Sequence, residues 1–179
     1  MKKSIFLFAT MLIMAACNPP TDNQSATTEE AANVVADTIS TETMQTNLTE
    51  VQAFLKECGV FFIATTDANQ PHVRPFGVAE IIDGKLYIMT GKKKDVNKQI
   101  SNNQLFEICA LNMPVGKWLR INGKLVADET LQVKEEILNR NENLKAAYKA
   151  DDDNMAVLYI SNGTARFCSF SEPERVVRF

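Results

Sequence analysis

The chain has 179 residues, 45% of them hydrophobic and 23% charged, which suits one domain with a real core plus shorter extras. Its formal net charge is −3 and it holds one histidine, His72. A histidine-based metal site or a Ser-His-Asp triad therefore has little to build with, and no phosphate loop, dinucleotide-binding glycine motif or C-x-x-C motif is present.

The extras lie at the N-terminus. Lys2-Lys3 precede an apolar run, Ile5 to Ala16, that is too short to span a bilayer comfortably and is followed by polar residues. Residues 1–16 are thus expected to be a signal peptide. The sequence Met14-Ala15-Ala16-Cys17 resembles a bacterial lipoprotein signal, with methionine where leucine is usual. The resemblance implies lipidation of Cys17 and an exported protein anchored in the cell envelope. Residues 17–46, rich in Thr, Asn, Ala and acids and without Lys or Arg, read as a disordered acidic tether. Residues 47–179 remain as the folded domain.

Removing Lys2, Lys3 and the tether acids Asp22, Glu29, Glu30, Asp37 and Glu42 from 19 basic and 22 acidic residues leaves equal numbers. A neutral domain argues against nucleic-acid binding, which needs a basic surplus. Cys58, Cys109 and Cys168 lack metal-ligand spacing and read as buried inert thiols, with one disulfide possible in an oxidising compartment.

In chain order, Asn47 or Thr49 caps a helix that Gly59 stops. Val60 to Thr66 is a strand rich in β-formers, and 67–71 a turn. Val73 to Ile82 reads as one long strand, joined through Asp83-Gly84 to Leu86–Thr90. Asp95 caps a helix that runs through Val96, Gln99 and Ile100 to Asn102-Asn103. Strands follow at 105–113 and 117–127, with Gly123 marking a bend or bulge. Helices are expected over 130–139 and 142–149, with Asp128-Glu129 and Glu135-Glu136 as solvated charge. Met155–Ile160 and Thr164–Phe170 then form a hairpin across Asn162-Gly163, and Val176–Phe179 adds a closing strand. The count is about six strands with inserted α-helices and no βαβ alternation. That pattern predicts a mainly β fold, a closed or nearly closed antiparallel barrel.

One chemistry stands out. Arg74 is a lone permanent charge within an apolar strand, and Lys92-Lys93-Lys94 precede a helix start after Thr90-Gly91. A guanidinium fork, lysines and a helix N-terminus together suit an anion. Glu80 or Glu107 could instead pair with Arg74, and the lysines could be a solvated turn. His72 alternates with Arg74 but reads as a surface histidine beside a turn.

The runs Gln70-Pro71-His72-Val73-Arg74-Pro75-Phe76-Gly77, Asp83-Gly84-Lys85-Leu86-Tyr87, Lys94-Asp95-Val96-Asn97-Lys98-Gln99-Ile100 and Gly116-Lys117-Trp118-Leu119-Arg120-Ile121-Asn122-Gly123-Lys124 resemble, in order and spacing, the pyridoxamine 5′-phosphate oxidase-like family. The resemblance covers about Thr49 to Phe170. It implies a six-stranded antiparallel split β-barrel and a homodimer holding FMN at the subunit interface. Arg74, Lys93 and Lys94 match phosphate positions, while Pro75, Phe76, Gly77 and Thr90 match positions along the flavin. Trp118 matches a contact from the partner subunit, with an interface or core aromatic as its alternative. The arginine- and histidine-bearing C-terminal segment of true pyridoxamine phosphate oxidases has no counterpart here, so vitamin B6 oxidation is not expected. The reading is a flavin-dependent oxidoreductase acting on a small molecule. Its alternative is a non-catalytic envelope protein that stores or senses flavin or haem.

Overall fold

The computed structural model describes residues 40–179. The expected signal peptide, Cys17 and the tether through residue 39 lie outside the described residues. Helix α1 spans Thr41–Cys58 and starts earlier than the sequence suggests. Ser40 is the cap, its hydroxyl accepting from Thr43 N at 3.1 Å, and Glu42 suits the positive end of the dipole. The helix therefore takes in residues 41–46, which the sequence analysis assigned to the tether. Leu48, Val51 and Leu55 bury its inner face, and Gly59, at φ 70°, ends it.

Strands β1 (Phe61–Asp67) and β2 (Gln70–Phe76) form a hairpin, but β2 does not continue to Ile82. The chain crosses through Gly77–Ala79 and reappears as β3 (Glu80–Ile82), paired with β4 (Lys85–Gly91) instead of β1. Asp83 and Gly84, both at positive φ, make the expected tight turn between them. Helix α2 (Asp95–Asn102) leads to β5 (Leu105–Asn112), β6 (Lys117–Asp128), α3 (Leu131–Arg140), a 3₁₀ turn (Glu142–Ala146), β7 (Met155–Ser169) and β8 (Arg175–Arg178).

All pairings are antiparallel, in the order β2-β1-β5-β6-β7-β4-β3, with β8 added on β7. The fold is a mainly β split barrel. Its hydrogen-bonded path stays open between β2 and β3, and eight strands stand where the count from sequence was about six; β8 is the expected closing strand and β3 is split off from the expected long strand. Strand β7 is unbroken, so the expected hairpin at Asn162-Gly163 does not form. Both halves of β7 pair along β6, and the register slips by a bulge between Asn122 and Lys124. The positive φ that an Asn-Gly pair accommodates, 54° at Asn162, is used at this bulge.

Two apolar clusters result. One joins α1, α2, β1, β5 and β6 around Ile63, Ile108 and Ile121; the other joins β4, α3 and β7 around Tyr87, Ile137 and Met155. Among the described residues no helix is long and apolar enough to cross a membrane. The bulge fixes a testable detail. A Cβ on Gly123 would lie 2.9 Å from the Ser161 carbonyl oxygen, and backbone cannot swing aside. Gly123→Ala should cost ~1–3 kcal/mol in urea unfolding, as overpacking does. A cost no larger than that of an exposed substitution would contradict the strand geometry.

Candidate functional site

Side chains alternate along β1 and β2, so the pairs Ile63–Arg74 and Thr65–His72 share the inner face at the sheet's end. There α2 covers them. Its Gln99 is buried, as is Thr65, and the two side chains share a 2.6 Å hydrogen bond from Thr65 Oγ1 to Gln99 Oε1. Arg74 donates from Nη1 to Thr65 Oγ1 at 2.6 Å and to the His72 carbonyl at 3.0 Å, and from Nη2 to Gln99 Oε1 at 2.6 Å. Every acceptor is neutral. Glu80 is occupied by Lys56 and Arg140, and Glu107 by Arg120, so neither carboxylate pairs with Arg74. Burial lowers the Arg74 pKa from its ordinary value, with Asp95 opposing the shift. The fork is thus oriented while its charge stays uncompensated by any carboxylate in bonding distance among the described residues.

Arg74 lines a cavity of about 430 Å³ with His72, Pro75, Phe76, Thr90, Lys94 and Gln99. A second cavity, about 480 Å³, shares Pro75, Phe76, Thr90 and Lys94 and extends past Gly77, Val78 and Met89 to Asn143, Leu144 and Tyr148. Together they form one cleft between the two ends of the open sheet. Helix α2 starts at its wall, since Lys94, Asp95 and Val96 all line the first cavity. Its N-terminal N–H groups and dipole add to the positive end.

Of the residues proposed from sequence, Arg74, Pro75, Phe76, Gly77, Thr90 and Lys94 meet along this cleft. Lys93 is exposed and lines neither cavity. Trp118 lies elsewhere in the chain's own surface, 5.1 Å from the Phe170 ring, in a separate groove with Phe54, Phe167 and Arg175. His72 is half-buried in the cleft, not the turn-side surface histidine the sequence suggested. Thr65 and Gln99 were overlooked because hydrophobic spacing assigns them to element faces. Asn143 and Tyr148 carry no sequence signal, since only the fold brings them near residues 74–90.

The lysine turn has its own support. Glu129 accepts from Lys92 and from buried Lys134, both at 2.7 Å, while Asp128 accepts from Tyr87 Oη and Thr130 N, both at 2.9 Å. Asp128 and Glu129 are therefore held by specific partners, while Glu129, 58% exposed, is also the solvated charge the sequence suggested. Lys92 is turned away from the cleft by this pairing, which leaves Lys94 to face it.

A family model for pyridoxamine 5′-phosphate oxidase matches residues 48–168. The chain belongs to this family. Members of the family are FMN-binding split barrels and are usually dimers. Among solved structures, a NimC/NimA family protein from Clostridium acetobutylicum is 37% identical, with a TM-score of 0.75 over 78% of this chain and 96% of its own. A general stress protein 26 relative from the same organism, of the pyridoxinephosphate oxidase family, is 12% identical with a TM-score of 0.59, covering 75% and 96%. A haem-binding protein from Mycobacterium smegmatis is also 12% identical, with a TM-score of 0.51 over 70% of this chain and 57% of its own. These last two share the fold alone. A search of curated proteins found no match.

The donor set of this cleft fits a flavin phosphate: an oriented guanidinium with no carboxylate in bonding distance among the described residues, Lys94 and a helix N-terminus converge at one end. The pairing beneath the lysine turn predicts a pH dependence. Burial pushes the Glu129 pKa up, but hydrogen bonds and charge from Lys134 and Lys92 outweigh it, so the carboxylate sits below its ordinary value. A depressed folded pKa stabilises the fold above the unfolded value and the contribution is lost as pH falls through the folded one. Between pH ~6 and ~3, around the ordinary carboxylate value, Glu129→Gln should show a shallower loss of thermal stability than the parent chain. Parallel curves would exclude the pairing.

Proposed function

We propose that this protein is an FMN-dependent oxidoreductase acting on a small molecule. The observation that carries the reading is Arg74, held by Thr65, Gln99 and a backbone carbonyl and, among the described residues, ion-paired to no carboxylate, although Asp95 lines the cavity it faces. An exposed ion pair is worth little, but a half-buried, oriented guanidinium gains more from an anion that accepts its remaining donors. Arg74 and Lys94 hold the phosphate, with Lys93 close enough in sequence to add field. The strand end Pro75-Phe76-Gly77 and Thr90 orient the ring between the two cavities. When bound, the flavin supplies hydride or electron transfer at its ring. This chain's residues anchor, orient and exclude water; the reading needs no side chain as acid or base.

The partner in this reading is a second copy. Phe62, Val73, Cys109 and Leu111 lie on the outer face of β1, β2 and β5, where registers pair Phe62 with both Pro75 and Cys109. Phe62 is 50%, Val73 64% and Leu111 48% exposed, and the patch runs on to Met113 at 71%. Such a face favours association, and Trp118, opposite Leu111, stands at its edge where it can reach the partner's cleft. Anchoring at the cell envelope through Cys17 completes the proposal; fractionation of a Cys17→Ser strain, read as membrane-bound or released protein, decides it.

Apoprotein titrated with FMN should quench flavin fluorescence stoichiometrically. Each of Arg74→Ala and Lys94→Ala should weaken the affinity ~10–100-fold, the worth of a charge-assisted hydrogen bond, and unchanged affinity would refute the phosphate assignment. A Soret band in the purified protein would favour the haem-storing alternative. In solution, Leu111→Arg should convert a dimer into monomers by light scattering, and a parent chain that is already monomeric would sink the dimer reading.

A further inference from the structure

The cleft is electrically lopsided, and this points to what its second half receives. The charged residues Arg74 and Asp95 and the one histidine line the first cavity, and Lys94 stands where the two cavities meet. Past Thr90 the walls are Val78, Met89, Leu144, Asn141, Asn143 and Tyr148, with no Asp, Glu, Lys, Arg or His among them. The charged groups on the covering segment do not line this chamber: Glu142 and Lys145 are exposed and 3.9 Å apart from one another, and Lys149 is exposed. We infer that the far chamber binds an uncharged small molecule beside the flavin, recognised at its polar edge by Asn143 and Tyr148. The inference rests on the flavin reading and names the substrate class of the same site.

Three observations support it. Val78 and Met89 are each only 8% exposed, so the floor is apolar, and a carboxylate or phosphate placed there would be desolvated with Lys94, at the phosphate end, as the chamber's one cation among the described residues. With the flavin phosphate in place, Arg74 and Lys94 are neutralised and Lys94 no longer serves a second anion. The polar groups available are neutral and free. Among the described residues the side chains of Asn143 and Tyr148 make no hydrogen bond, whereas Asn141 has its amide donors committed to Glu80 Oε1 at 3.1 Å and the Ile137 carbonyl at 2.9 Å. The wall that carries them is also fixed at both ends. Asn141 ties its start to buried Glu80, and Asp152 closes its end by accepting from Lys149 N at 3.0 Å, Asn154 N at 2.9 Å and Met155 N at 3.0 Å. Hydrogen-bonding groups on a fixed wall over an apolar floor are the ingredients of a small-molecule subsite.

Benzamide and benzoate, equal in shape and different in charge, separate the possibilities. FMN-loaded protein titrated with each, followed by calorimetry and by the flavin difference spectrum, should bind benzamide and take benzoate at least ~10-fold more weakly, a burial penalty of the unpaired charge. Asn143→Ala and Tyr148→Phe should each weaken benzamide ~10-fold, the worth of a neutral hydrogen bond, with FMN affinity unchanged. Benzoate binding as tightly as benzamide, no benzamide binding, or variants that bind it like the parent would each overturn the inference while leaving the flavin reading intact. A chain that takes up no FMN would overturn both.

Discussion

The site depends on an arginine whose charge is positioned but not neutralised. A guanidinium at a sheet end usually acquires a carboxylate, and two were plausible in this sequence. Both are diverted: Glu80 joins Lys56 and Arg140, and Glu107 joins Arg120 across the β5–β6 pair. The acceptors of Arg74 are a hydroxyl, an amide oxygen and a carbonyl, which fix the fork's direction, and Asp95 on the same cavity acts on its charge only from beyond bonding distance. The orientation is inherited from two buried polar residues, Thr65 at 3% and Gln99 at 5% exposure, whose mutual hydrogen bond costs little because each is satisfied. Removing either would loosen the fork without removing its charge.

The long β6–β7 pair makes the rest possible. Because β7 runs unbroken beside β6, β5 and β1 extend the sheet from one side and β4 and β3 from the other, and the sheet opens between β2 and β3. The crossing Gly77–Ala79 bridges that opening, so the segment after Arg74 necessarily passes along the cleft. The location of the ligand site thus follows from the place where the hydrogen-bonded path fails to close.

Much of this was legible in the sequence, and the limits have physical causes. Period-two alternation and turn residues located the strands, and Arg74 with Lys94 marked the anion end, because charge inside an apolar strand is conspicuous. Local signals failed where their meaning is set by pairing. Asn162-Gly163 advertises positive φ, but a bulge uses that conformation as well as a hairpin does. Val73 to Ile82 is uniformly strand-like, yet its two parts pair with different neighbours. Ser40 to Thr46 is polar enough to read as tether, and it forms helix because the cap and the packing of Leu48 and Val51 beyond it outweigh composition. Asn143 and Tyr148 were illegible because nothing near them in sequence distinguishes a cavity wall from an exposed turn.

The two halves of the cleft also differ in what supports them. Phe76, Val96 and Ile100, under the anion end, belong to the cluster built on α1 and β1, whereas Val78 and Met89, with Leu144 and Tyr148 packed against them, belong to the cluster built on α3 and β7. The cleft therefore follows the seam between two separately packed cores. Glu80 crosses that seam: buried itself, it takes Lys56 from α1 on one side and Arg140 and Asn141 from the end of α3 on the other. Lys56 and Arg140 are partly exposed, so their ion pairs are screened, while the carboxylate they reach is not. A buried acid that accepts from Lys56 and Asn141 and pairs with Arg140, partners from two cores, sets the spacing of the cleft walls more than it adds to stability. It holds the wall that carries Asn143 and Tyr148 against the one that carries Arg74.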